Sequence, residues 1–183
     1  MSTIDRLASE AGEAFLNSMP YEIRDEHIRQ GVRRIAEERF RINKLLEEVK
    51  FEKEVLISLF SPKNTKLAQK LEADPRDCLE EVEGTIKEMN EAIANLDKFK
   101  NDIIKNARTL SRYPEMLSNI FNDQMTQTRM RMEKEYDEDA EAYNQFTAQD
   151  WTHIKQDLDA KKIAISYDFL NRCQRVAQSI IAA

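Results

Sequence analysis

At 183 residues the chain is long enough for one domain with a single core, and its 3 glycines and 4 prolines are too few for the turns of a sheet protein. Hydrophobic residues make up 41% and charged residues 34%, and the apolar ones recur periodically, which excludes a disordered chain. The net charge of -6 gives no reason to expect general affinity for nucleic acid, and no run approaches the ~18 apolar residues of a membrane span.

Residues 1–19 predict a short amphipathic helix with Ile4, Leu7, Ala8, Ala11, Phe15 and Met19 on one face. Asp5, Glu10 and Glu13 stand where a secretory leader or transit peptide would be basic, so neither is expected. Pro20 ends this helix, because the residue before a proline is pushed out of the helical region. A long helix follows over 21–60. Its stripe reads Ile28, Val32, Ile35, Arg39, Ile42, Leu46, Val49, Lys53, Leu56 and Phe60, with spacings of four and three in strict alternation. That 3.5-residue repeat is the pattern of helices that wind around one another. Leu45, Val55 and Leu59 widen the stripe beyond a two-stranded seam and predict three or four neighbouring helices.

Ser61-Pro62-Lys63-Asn64 reads as a turn, and a short amphipathic stretch follows from Leu67 to Leu71. Asp74-Pro75 then signals a helix start, an N-cap acceptor followed by proline at the first helical position. The helix over 75–112 carries Leu79, Val82, Ile86, Met89, Ile93, Leu96, Lys100, Ile103, Ala107 and Leu110, again alternating three and four, with Lys100 as the one charged member. Residues 115–183, opened by Pro114, predict a long C-terminal helix, either continuous or broken near 147. Its first part has a looser stripe of Leu117, Phe121, Met125, Thr128, Met132, Tyr136, Asp139, Tyr143 and Phe146. Thr147-Ala-Gln-Asp150 has the spacing of a capping box. Beyond it, Trp151, Ile154, Leu158, Lys162, Ile165, Phe169, Cys173, Val176 and Ile180 repeat every eleven residues, which predicts a nearly straight helix whose end docks through Ile180 and Ile181. The expected fold is all-α: one domain over 1–183, an elongated helical bundle or coiled coil of three to five helices, three of them long.

Few residues suggest chemistry. Cys78 and Cys173 lie far apart inside helical patterns, so a reducing compartment is expected: the cytoplasm, with the nucleus left open. Cys78 sits in the first turn after Asp74, where a helix N-terminus lowers a thiol pKa, yet no organising base accompanies it. Asp150 and His153 have the i, i+3 spacing of di-iron bundles, but the required second copy is missing, and a surface pair beside a buried Trp151 is the simpler reading. Gly84, inside the third helix, predicts close packing against a neighbouring helix. No catalytic residue, cofactor or metal is expected.

Charge runs are more informative. Residues 29–44 hold six bases against two acids, and residues 134–141 hold five acids against one base. Either run is a solvated face, a partner contact, or half of a pairing that sets helix register. Arg33, Arg34, Arg39, Arg41 and Lys53 on the basic side, and Tyr136, Asp137, Glu138, Asp139 and Tyr143 on the other, are the candidate partner-binding residues. The expected function is a non-enzymatic structural or adaptor subunit that binds other helical proteins, or itself, in a multiprotein complex. The alternative is a BAR-like module on a membrane surface. It is weakened because acids interrupt the basic run that anionic lipid would attract. Nucleic acid ranks below both, since Phe40 alone interleaves the bases.

Overall fold

The computed structural model describes residues 3–19, 26–71, 73–110, 112, 126–164, 166 and 169–173. Every regular element among them is helical: α1 (Thr3–Ser18), α2 (Glu26–Leu59), a 3-10 turn (Pro62–Asn64), α3 (Thr65–Ala68), α4 (Pro75–Lys105), α5 (Ala107–Leu110), α6 (Thr126–Glu141) and α7 (Ala148–Ala160). Residues 169–173 are helical as well. The all-α class therefore holds, but the helices outnumber the three to five expected. Short helices after the Ser61-Pro62 turn, a break at Asn106 that divides the helix expected over 75–112 into α4 and α5, and breaks within 115–183 account for the excess. The expectations placed on Pro20, Pro114, Leu117, Phe121, Met125, Ile165, Val176, Ile180 and Ile181 lie outside the described residues.

On α2 the predicted seam is buried at Ile28, Val32, Ile35, Ile42, Leu46, Val49 and Leu56. A second stripe beside it, Leu45, Glu48, Glu52, Val55 and Leu59, is also buried, and it carries two glutamates through its centre. A helix covered on two adjacent stripes packs against more than one neighbour. On α4 the result differs from a two-line seam. Val82, Met89, Leu96 and Ile103, seven residues apart, are buried, whereas Leu79, Ile86 and Ile93 are half-buried. The covered face of α4 is thus centred on one line of its repeat, and the other line forms an apolar rim.

Local chemistry explains the helix ends. Asp74 accepts from the Arg76 backbone N–H at 2.8 Å, beside Pro75 at the first helical position of α4. At the end of α2, the Asn64 side chain donates to the Ser58 carbonyl at 2.8 Å, which satisfies an acceptor the helix leaves over. The capping box at α7 is formed in both directions: Asp150 N–H to Thr147 Oγ1 at 3.1 Å, and Thr147 N–H to Asp150 Oδ2 at 2.9 Å. The straight eleven-residue helix does not continue past Ala160. Lys162 adopts φ 58, and the N–H groups of Lys162 and Ile163 reach back to Asp159 and Leu158 at 3.0 Å each. These two bonds make a Schellman motif, with lysine in the left-handed position that glycine usually fills.

The chain forms two compact units, Met1–Leu45 with Glu88–Met132 and Leu46–Lys87 with Glu133–Ala183. Helices α2, α4 and α6 contribute residues to both. In the first unit, Gly12 brings α1 onto α2: a Cβ there would lie 2.9 Å from Cγ of Arg33 and 3.0 Å from Cγ of Glu37. Gly84, where close packing was expected, has open space instead. In the second unit the core is aromatic. Phe169 packs 5.2 Å from Phe51, 5.7 Å from Tyr143 and 6.1 Å from Trp151, and Phe146 lies 5.5 Å from Trp151.

Candidate functional site

Most of the candidate cations in the first unit are engaged by acids of the same unit. Arg33 meets Glu13 at 2.6 Å, Glu37 at 2.9 Å and Ser9 at 3.1 Å, clasping α1 to α2. Arg41 meets Asp5 and Glu38, each at 3.2 Å, and the other oxygen of Glu38 takes Arg129 at 2.7 Å. Glu38 is buried, so this chain of charges ties α1, α2 and α6 together from within. Arg34 is exposed. Arg39 forms a forked pair with Asp97 of α4, 2.8 Å from Nε to Oδ1 and 3.4 Å from Nη2 to Oδ2.

That last pair edges a groove of about 490 Å³ between α1, α2 and α4. Its apolar lining comes from Ala11 and Phe15 on α1 and from Ala36 and Phe40 on α2. Lys100 of α4 stands over the Phe15 ring with Nζ 4.8 Å from its centroid, and Lys44 stands 5.5 Å from the centroid of Phe40. Arg39 and Lys100 are charged members of two mostly apolar heptad stripes, and the fold brings both to this one groove. The sequence reading singled out Arg39 but missed Lys100, Asp97, Phe15 and Phe40 as its companions. The available signal was the lysine interrupting the α4 stripe.

The remaining candidates lie in the second unit, and two of them, Asp139 and Tyr143, act on a buried acid, Glu52. Lys53 reaches Glu83 at 3.6 Å. Tyr136 is buried, with the Arg172 guanidinium 4.2 Å above its ring, and Arg172 pairs with Asp137 at 2.8 Å and approaches Glu48 at 3.6 Å. Glu138 is exposed and meets Lys134 at 4.0 Å. Tyr143 is buried and donates to Oε1 of Glu52 at 3.3 Å. Glu52 itself is 3% exposed. Burial, reinforced by the charges of Asp139 and Glu81, pushes its pKa up to about 8, and the Tyr143 bond only partly opposes this. Asp139 is raised to about 6 by burial and by Glu81, Glu135 and Glu138. Burial raises the Tyr136 and Tyr143 hydroxyls and the Cys173 thiol as well.

Cys78 runs opposite to the expectation from its helix position. Burial and the carboxylates of Glu81, Glu52 and Asp139 raise its pKa, so desolvation and like charge outweigh the helix terminus. Asp150 and His153 part company: Asp150 takes Lys70 at 2.5 Å, and His153 Nε2 lies 2.7 Å from Asn64 Oδ1. Among the described residues no group of three or more His, Cys, Asp or Glu side chains is placed to hold a metal ion. No family model, curated protein or solved structure matches this chain.

The two assemblies differ in what they can do. The Glu52 cluster is closed to solvent, with its acid buried and its pKa raised. The groove is open to solvent and offers aromatic surface beside exposed charge. Among the described residues, no helix is long and apolar enough to cross a membrane.

Proposed function

We propose that this protein is a non-enzymatic structural or adaptor subunit that binds other helical proteins through the outer faces of its long helices, in a bundle or coiled-coil arrangement. The observation that carries the reading is the uneven burial of α4. Val82, Met89, Leu96 and Ile103 are covered, while Leu79, Ile86 and Ile93, equally apolar and regularly spaced, are half-exposed. A heptad line of leucine and isoleucine left as a rim is the kind of surface that a second helix covers. The pairing of Arg33 and Arg41 with acids of their own unit favours a protein partner over an anionic membrane, because these two cations of the basic run are already answered.

The test is to size the purified chain by light scattering and to cross-link it in a native extract, alongside Ile86→Glu and Ile93→Asp. Self-association or a stable partner that both variants lose, with helical content retained by circular dichroism, supports the reading. A partnerless monomer overturns it. Sedimentation with anionic vesicles and their tubulation, without a protein partner, replaces it with the membrane-curvature alternative.

A further inference from the structure

We propose that the groove between α1, α2 and α4 docks an acidic amphipathic helix of a partner protein, one that places a carboxylate beside its apolar anchors. The proposal rests on the protein-binding reading above and adds the place and the chemistry of the partner. Two independent heptad stripes are apolar along most of their length; cations interrupt them at Arg39 and Lys53 on α2 and at Lys100 on α4, and Arg39 and Lys100 lie in the same unit. Both cations line this groove. A charged residue at a seam position costs packing, so two of them meeting at one opening mark a place where core packing gives way to surface chemistry.

The groove's shape and charge narrow the occupant. Ala11 and Ala36 leave room for another chain to come close, and Phe15 and Phe40 supply aromatic walls. A space of about 490 Å³ accommodates the anchor side chains from one face of a helix, the i, i+3/i+4 and i+7 positions by which such a segment sits in a groove. Two cations line it against one acid, Asp97. The Arg39–Asp97 pair is 44% and 38% exposed, so it is weakly held, and Asp97 takes two of the five donors that a guanidinium offers. A partner carboxylate can therefore join Arg39 without first breaking a strong bond. An acidic segment fits this edge, and a basic one meets like charge.

The experiment uses the full chain, immobilised, against a displayed library of amphipathic helical peptides whose polar faces are acidic, neutral or basic. Acidic peptides with apolar i, i+3/i+4 anchors are expected to be enriched. Synthetic copies of the strongest should bind at least tenfold more weakly to Lys100→Glu, which reverses one edge charge, and to Asn101→Trp, which fills the groove from an exposed position. If Lys100→Glu loses helical content, Asn101→Trp alone decides. Enrichment without an acidic bias overturns the proposal, as does failure to enrich any peptide above an unrelated control protein. Peptides that ignore both groove variants but are lost with Ile86→Glu also overturn it, while leaving the protein-binding reading in place.

Discussion

The Tyr143 hydroxyl, in the turn that follows α6, donates to Oε1 of Glu52 on α2 across 3.3 Å, while Oε2 of the same buried carboxyl has no hydrogen-bond partner among the described residues. A carboxylate so placed is costly, and the folded protein avoids the cost by keeping the proton up to about pH 8. The unfolded chain releases that proton near 4.5. Between those values the native state binds a proton that the unfolded state has lost, so stability falls as pH rises and levels off above about 8. Asp139, raised to about 6, adds a slope of the same sign at lower pH, which leaves the upper part of the window to Glu52. Glu52→Gln, neutral throughout, should flatten this upper slope. Near pH 8.5 it should exceed the wild type by several kcal/mol, at most about 5, since each pKa unit between 4.5 and about 8 corresponds to about 1.4 kcal/mol. Urea denaturation across the pH range checks this, and parallel curves for the two proteins would refute it.

Asp157 on α7 is the hub of a second buried network. Its carboxylate accepts from Asn64 at 2.8 Å, from Ser58 at 3.2 Å and from Lys63 at 2.5 Å, which joins the end of α2, the 3-10 turn and α7. Lys63, Asn64 and Ser58 hold the Asp157 pKa below the ordinary carboxylate value against the opposing effect of burial. This stability is therefore present above the usual aspartate range and is lost as pH falls through the lowered value. Removing the acceptor leaves buried donors unmatched, so Asp157→Ala should cost roughly 2–4 kcal/mol. Lys63 is 60% exposed, and Lys63→Ala should cost no more than about 1 kcal/mol. Equal losses in denaturant melts would show that the ion pair, rather than the buried amide and hydroxyl bonds, holds the turn.

Two glycines in helices should respond with opposite signs. At Gly84 an added methyl meets open space, and replacing an exposed helical glycine by alanine raises stability by roughly 0.5–1 kcal/mol. At Gly12 the same methyl would lie 2.9 Å from Cγ of Arg33, an atom too near the α2 backbone to swing away. Separating α1 from α2 or distorting the Arg33 clasp should outweigh the gain in helix propensity, for a net loss of about 1–2 kcal/mol. Thermal melts of Gly12→Ala and Gly84→Ala measure both. A stabilised Gly12→Ala would mean that α1 does not sit against Arg33 as described.

These outcomes separate what local sequence encodes from what needs the fold. The caps at Asp74-Pro75 and Thr147–Asp150 depend on residues within one turn of each other, so their spacing announced them. Ile28, Val32, Ile35, Ile42, Leu46, Val49 and Leu56 were legible because burial follows the 3.5-residue repeat. Glu48 and Glu52 were not, since a glutamate in a helix ordinarily faces water. The clue was their place between Leu45 and Val55 in a second stripe of three-four spacing. Gly84 misled because a helical glycine has two readings, close packing or none, and only a neighbour's position chooses between them. Arg39 and Lys100 were each visible as interruptions, but their meeting in one groove depends on how α1, α2 and α4 come together.

Lys162 tests the most consequential departure from periodicity. The eleven-residue repeat from Trp151 to Ile180 reads as one helix, yet Lys162 stands at φ 58 and the N–H groups of Lys162 and Ile163 close back on Asp159 and Leu158. A side chain in the left-handed region is strained by roughly 1–2 kcal/mol, which glycine avoids. Glycine also loses more freedom on folding, which offsets part of that gain. Lys162→Gly should therefore raise stability by about 0.5–1 kcal/mol. In the middle of a continuous helix the same substitution would lower stability by about 1 kcal/mol. The sign alone decides, and chemical denaturation followed by circular dichroism reads it. A loss would mean that the repeat, and not the Schellman turn, describes residues 158–164.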